Sequence, residues 1–387
     1  MKLLIAVLWL TTLGAAFTLG QHLADESKRE PQPQAREVRD LLSEALRDRD
    51  VLSRTARLSQ TLRDLEERDL ESAVAVFEAQ RLGVTDSEVR LLMLAWCRFD
   101  PAGALAWARA WQGPWRTTLV RSAMYAWAFR DPNGAADAFR ALGKPDRDEI
   151  RASLVSGWAR SDARQGLTDF LFSRPASTER SRFVGVLLAE LTKEGPESIR
   201  SWAESIPADA PNKAKTTAFL TAGGALAQNY PSDAVAFFEA HQEFDYAQPA
   251  LKTIARRWVD FHEPAALFDW LVSLPASAGR ADAVEAGFTR WWSQSPQEAS
   301  AWLRAAPTAP AFDPAVAVFA RQLSRTSAER AVGWAERIHD EPLRRRTLAP
   351  ILRLWSREDA PAARAWMNAQ EDLPKELQRE FLRAPPT

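Results

Sequence analysis

A tryptophan, a proline five residues later and a second aromatic six or seven residues beyond that recur along this chain about every 32 residues. The pattern reads Trp96…Pro101…Trp107, then Trp127…Pro132…Phe139, then Trp291…Pro296…Trp302. A fixed period of this length marks stacked supersecondary units, each too small to bury its apolar face alone. No stretch alternates over enough residues to be a strand, so the expected fold is all-α: an α-solenoid of about nine helical hairpins. A repeat array has no fixed length, so 387 residues do not here imply two or three globular domains.

Aligned on the proline, the register positions are Pro101, Pro132, Ala163, Pro196, Pro231, Pro264, Pro296, Ser327 and Ala360. The first anchor, usually five residues earlier, is Trp96, Trp127, Trp158, Leu191, Leu226, Trp258, Trp291, Gln322 or Leu323, and Trp355. The second anchor is Trp107, Phe139, Phe170, Trp202, Phe237 or Phe238, Trp270, Trp302, Trp334 and Trp366. Before the proline position stand Asp100, Asp131, Glu263, Ser295 and Asp359, which predicts an N-cap followed by proline at the first helical position, where a missing N–H is harmless. Alanine follows one turn before the second anchor, at Ala104, Ala135, Ala234, Ala299 and Ala363, and lets the next helix approach. The first helix should stop at a turn such as Leu274–Pro275 or Ala306–Pro307. The second helix carries apolar or small residues four and eight positions before its anchor, as Ala123 and Leu119 do before Trp127, which is one face of a helix.

These hairpins resemble the tetratricopeptide class of α-solenoids over roughly residues 70–387, without that family's Trp…Leu-Gly…Tyr order. The unit W-x-x-x-D-P-x-x-A-x-x-W, seen best from Trp96 to Trp107, is more similar to tryptophan-rich helical repeats of exported bacterial proteins that mostly lack assigned functions. The resemblance implies a superhelix with a groove and no catalytic residue.

Ahead of the array, Lys2 precedes an uncharged apolar run from Leu3 to Leu19. Its length is at the short edge of a transmembrane helix and above a usual signal-peptide core. We read residues 1–20 as a membrane anchor, with a cleaved signal peptide as the alternative; either exports the rest to the periplasm or cell exterior. Residues 21–69 read as a polar spacer to Arg36 and then a charged helical segment from about Glu37 to Glu67. Its leucines are Leu41, Leu42, Leu46, Leu52, Leu58, Leu62 and Leu65.

Little along the chain suggests chemistry. A net charge of −1 gives no field to attract nucleic acid. Cys97 is the only cysteine and reads as a small buried residue. The four histidines are scattered, and the pair Glu336 and His339 lacks further ligands, so no metal or cofactor is expected. Gly223–Gly224 reads as a close-packing site in a helix rather than a phosphate loop.

Two features bear on binding. A basic residue lies eleven positions before the first anchor in six units: Arg116, Arg147, Arg180, Lys215, Arg280 and Arg344. That is the first turn of the second helix, where the macrodipole disfavours a cation. The expectation is a ladder to acids or helix-end carbonyls of neighbouring hairpins; the alternative is a basic stripe for an anionic partner, with Arg116, Arg147 and Arg280 as its candidates. Trp111 and Trp115 lie off the repeat positions around Gln112–Gly113–Pro114 and are candidates for an exposed aromatic contact. The remaining tryptophans are expected in the core. The functional expectation is a non-catalytic scaffold that binds a protein or peptide, with membrane contact through residues 3–19. Alternatives are a cell-wall hydrolase on a helical superstructure and a self-assembling structural envelope protein.

Overall fold

The structure, a computed structural model, describes residues 33–80, 83–172, 178–206 and 212–370. Among them it is all-helical, with no strand. The apolar run Leu3–Leu19 lies outside the described residues, and no described helix is long and apolar enough to cross a membrane. The chain divides into two compact units between Leu167 and Thr168.

The first unit contains α1 (Pro33–Arg47), α2 (Val51–Arg63), α3 (Leu70–Ala79), α4 (Asp86–Trp96), α5 (Pro101–Ala110), α6 (Arg116–Arg130), α7 (Pro132–Ala141) and α8 (Lys144–Ala159). The division falls inside α9 (Gln165–Phe172). The second unit continues with α10 (Thr178–Glu194), α11 (Pro196–Glu204), α12 (Asn212–Asn229), α13 (Pro231–Glu239), α14 (Gln248–Phe261) and α15 (Pro264–Ser273). It ends with α16 (Ala278–Gln294), α17 (Pro296–Ala305), α18 (Asp313–Leu323), α19 (Ala328–Ala335), α20 (Glu341–Glu358) and α21 (Ala360–Ala369).

The repeat motif is the joint between a second helix and the next first helix, a single residue at Asp131, Ser295 and Asp359 and at most five residues elsewhere. The N–H of Asp131 closes the last turn of α6 on Trp127 O at 2.8 Å, as Ser295 does on Trp291 O at 2.8 Å. The following proline has no N–H to continue the ladder, and its ring pushes the preceding residue out of the helical region. Asp100, Asp131 and Ser295 accordingly share ψ near 80°, at 83°, 83° and 75°. The side chains of Asp100, Asp131 and Asp359 then accept the N–H of Gly103, Gly134 and Ala362, as expected of N-caps. Glu263 and Ser295 occupy the cap position without a side-chain cap bond.

Across this joint the two aromatics of the motif touch. Ring centroids lie 5.2 Å apart for Trp96–Trp107, 6.2 Å for Trp258–Trp270, 5.4 Å for Trp291–Trp302 and 6.2 Å for Trp355–Trp366. Trp96, Trp158, Trp202, Trp258, Trp291 and Trp355 are buried. Trp127 is half-buried rather than buried, and so are the second anchors Trp107, Trp270, Trp302, Trp334 and Trp366. Two of these half-buried indoles turn their N–H to a surface acid, Trp107 Nε1 donating to Glu78 at 2.8 Å and Trp270 Nε1 to Glu239 at 3.1 Å, whereas the Trp127 Nε1 is buried without a partner.

Within each unit the second helices of successive hairpins pack on one another: α2 on α4, α4 on α6 and α6 on α8, then α10, α12, α14, α16, α18 and α20 in turn. The positions four and eight before the first anchor are buried in this row, as with Leu119 and Ala123 on α6 or Ile150 and Leu154 on α8. Ala104, Ala135, Ala234, Ala299 and Ala363 are all fully buried. Backbones come closest at glycine. A Cβ at Gly157 of α8 would stand 2.4 Å from the carbonyl oxygen of Tyr125 in α6, and one at Gly224 of α12 would meet Thr253 of α14 at 2.8 Å.

The charged N-terminal segment forms two helices, as its leucine spacing suggested. Helix α1 begins at Pro33, so residues 33–36 are helical, and α1 packs on α3 as α2 does on α4. Leu42, Leu46, Leu58, Leu62 and Leu65 are buried, whereas Leu41 and Leu52 are exposed. Two arginines fasten it. Arg54 of α2 forks onto Glu88 of α4, with Nη2 to Oε2 at 2.8 Å, and also reaches Gly83 O. Arg98 donates to the carbonyls of Leu62, Arg63 and Leu65 that end α2.

Opposite effects of alanine at two glycines would test the close approach. Gly157→Ala should destabilise by about 1–3 kcal/mol through backbone overlap. Gly185→Ala on α10, where nothing lies within 4 Å of a new Cβ, should stabilise by about 0.5–1 kcal/mol. Both are read by chemical denaturation.

Burial raises the Glu88 carboxyl, but the bonds from Arg54 and Thr85 more than reverse this, leaving it below its ordinary value. A depressed carboxylate stabilises the fold above its unfolded pKa, and the contribution is lost as pH falls through the folded value. Arg54→Ala leaves the buried carboxylate unpaired and should cost about 3–5 kcal/mol. The melting temperature of Glu88→Gln should fall less steeply than wild type on acidification below pH ~4.5.

Candidate functional site

The buried stripe of each second helix leaves a second stripe at the surface, two, five, six and nine positions before the anchor, which is again the spacing of one helix face. In the first unit these positions carry Arg90 and Leu94 on α4, Thr118, Arg121, Ser122 and Tyr125 on α6, and Ala152, Ser153 and Ser156 on α8. Together they line a cavity of about 400 Å³. In the second unit the same register lines a cavity of about 430 Å³, with Lys252 and Arg256 of α14 against Asp282, Glu285, Ala286 and Thr289 of α16.

The two cavities differ in electrostatics. In the second unit opposite charges line the wall together, Glu285 is held by Arg321 at 2.7 Å and the adjacent Arg290 is paired with Asp260. In the first, no carboxylate lines the wall, and Arg90 and Arg121 are exposed with no ion pair among the described residues. Two acids on the same helices have other partners: Asp86 accepts from Thr118 at 3.2 Å and Glu149 from Arg116 at 2.9 Å. Leu94 is exposed beside the cavity, and Phe129, one turn beyond Tyr125 on α6, is 44% exposed.

Neither cavity uses the residues that the sequence singled out. Trp111 is half-buried against Trp107, ring centroids 4.9 Å apart, with its indole N–H buried and unpartnered, so it extends the Trp96–Trp107 cluster. Trp115 is half-buried at the N-cap of α6. The recurrent basic residue has a different explanation from the one expected. In an antiparallel hairpin the start of the second helix lies beside the end of the first, where a cation is favourable. Arg280 Nη1 donates to Leu274 O at 2.6 Å, Arg344 Nη1 to Ile338 O at 3.1 Å and Arg116 Nε to Arg109 O at 3.4 Å, each on the residue that ends the preceding helix or its turn. Only Arg116 of the three candidates also makes the expected pairs with a neighbouring hairpin, to Glu149 and Asp146. Arg280 bonds within its own hairpin, and Arg147 makes no ion pair among the described residues and has a buried, unpartnered Nε.

A ladder between repeats does exist, at the other end of the second helix. Arg98 reaches the carbonyls ending α2, Tyr230 Oη donates to Thr192 O of α10 at 2.9 Å, and His262 Nε2 lies 3.1 Å from Gln228 O of α12. These residues share no chemical type, so no recurrence in the sequence betrays them.

His339 is held by the buried Asp313 at 2.9 Å instead of forming a site with Glu336. No group of three potential metal-ligating side chains occurs among the described residues. Gly223 packs on Ile254 and Gly224 on Thr253, as their place in a helix suggested. Comparison of the chain with protein-family models, with curated proteins and with solved structures gives no match in any of the three.

Removing the helix-end cation should cost stability only where it bonds. Arg280→Ala is expected to lower stability by about 1 kcal/mol. Arg147→Met keeps the stem and removes an unsatisfied buried N–H, so the melting temperature should hold or rise.

Cys97 is a second probe of burial. Desolvation pushes its thiol up to about 12. The native thiol should resist alkylation at pH ~8 and react fully once unfolded. A raised folded pKa contributes stability below the unfolded value of 9.0, and that contribution should fade as pH climbs from there towards 12. Cys97→Ala should flatten that alkaline decline.

Proposed function

We propose that each unit is a stack of helical hairpins of the α-solenoid type, and that the protein is a non-catalytic scaffold whose second-helix face binds another protein or a peptide. The supporting observation is the register. Positions four and eight before the anchor stay buried from hairpin to hairpin, while the surface positions between them change from Arg90 and Arg121 to Ala152 and then Lys252 and Glu285. A repeat that holds its core and varies one face builds a surface whose side chains are free to specify a partner. Exposed Leu94 and Phe129 supply apolar area on that face. The apolar run Leu3–Leu19 would hold the scaffold outside the cytoplasmic membrane.

Site-specific photo-crosslinking of the full-length chain in cells would test this. A cross-linker at Ser122, on the face, should give a discrete adduct that one at Asp137, on first helix α7, does not. Equal adducts from both positions, or none from Ser122, would overturn the reading. An adduct with a second copy of this chain would transfer support to a self-assembling structural role.

A further inference from the structure

From the geometry of the first unit's cavity we propose that it binds an extended acidic peptide of a partner protein, its carboxylates on Arg90 and Arg121 and an apolar side chain on Leu94, Tyr125 and Phe129. The proposal deepens the scaffold reading and depends on it. Arg90 and Arg121 stand at the same register of adjacent packed helices α4 and α6. Neighbouring helix axes are about 8–10 Å apart. Alternate residues of an extended peptide are separated by about 6.6 Å on one side, and two flexible arginine stems close that difference. Both guanidinium groups are exposed and lack an acidic partner among the described residues, so they need not break an existing pair to take a carboxylate.

Charge complementarity selects an anion over a neutral or basic ligand. The cavity wall has two cations and no carboxylate, whereas the matching cavity of the second unit carries Asp282 and Glu285 among its cations. Ser122 of α6 and Ser153 of α8 line the same wall and offer hydroxyls to peptide carbonyls. The apolar trio favours a peptide over a small inorganic anion. Leu94 is exposed on α4, and Tyr125 and Phe129 are an i, i+4 pair on α6, so an aliphatic or aromatic side chain next to the carboxylates has surface to cover.

The test uses the full-length protein and a short fluorescein-labelled peptide alternating glutamate with leucine and phenylalanine, followed by fluorescence anisotropy. The expected result is saturable binding that weakens with salt. It should weaken by about tenfold or more in Arg90→Glu and in Arg121→Glu, with melting temperatures unchanged. Arg256→Glu, in the other cavity, should bind as wild type does. Undiminished binding by the double variant Arg90→Glu/Arg121→Glu overturns the proposal, as does absence of saturable binding. A glutamine counterpart that binds equally well, and loses binding in Phe129→Ser, overturns the acidic preference while leaving the scaffold reading in place. Displacement by inorganic phosphate, beyond that by chloride at equal ionic strength, overturns the peptide in favour of a small-anion site. The cross-linking experiment fails independently of all these outcomes, because it depends only on whether the face is covered in cells.

Discussion

The short joint between a second helix and the next first helix, tightest at Asp131, Ser295 and Asp359, is the constraint from which the rest of the fold follows. Backbone chemistry ends one helix and starts the next without a loop: the last N–H closes on the anchor carbonyl, the proline cannot continue, and its predecessor caps the new helix. With so short a link the two helices cannot wander. The contact between the two motif aromatics, as in Trp291 and Trp302, then fixes their relative setting by filling the angle between them. Within each unit, repetition of that joint brings each second helix against the next, and the positions four and eight before the anchor are buried there.

Close approach and capping refine this plan locally. Gly157 allows α8 to lie against the backbone of α6, an approach that no other residue type permits at that distance. The arginines at helix starts serve carbonyls at the ends of the helices before them, so a position unfavourable within one helix is favourable for the pair. Arg54 and Glu88 do for the N-terminal helices what aromatic pairs do further on. They are a buried charged fastening where the repeat motif is missing.

A fold organised in this way separates the residues that hold it together from those on its surface. Buried and surface stripes alternate on each second helix, so the surface stripe can change sign, polarity and size without touching the core. The first unit uses that freedom to gather two arginines without an acidic partner among the described residues beside exposed apolar side chains, and the second uses it to place charges of both signs on one wall. The difference between the cavities therefore lies in the charges at matching positions on a common framework.

By itself the sequence determined the helical class, the register and the buried stripe, because each rests on local rules: proline ends a helix, aspartate caps one, and apolar residues four apart share a face. Trp96, Asp100, Ala104 and Trp107 each do what their spacing implied. What the sequence left open was decided by contacts between residues far apart in the chain. Leu62 and Leu65 were placed in a separate charged segment because their packing on α4 and the Arg98 bonds to their carbonyls span more than a repeat. Spacing alone does not show that the hairpin's own turn brings the preceding helix end to Arg280 and Arg344, whereas Arg116 also reaches the acids of the neighbouring hairpin. Nothing local in the sequence distinguishes Arg90 and Arg121 from other surface cations. Only the packing of α4 against α6 places them side by side over a wall without an acid.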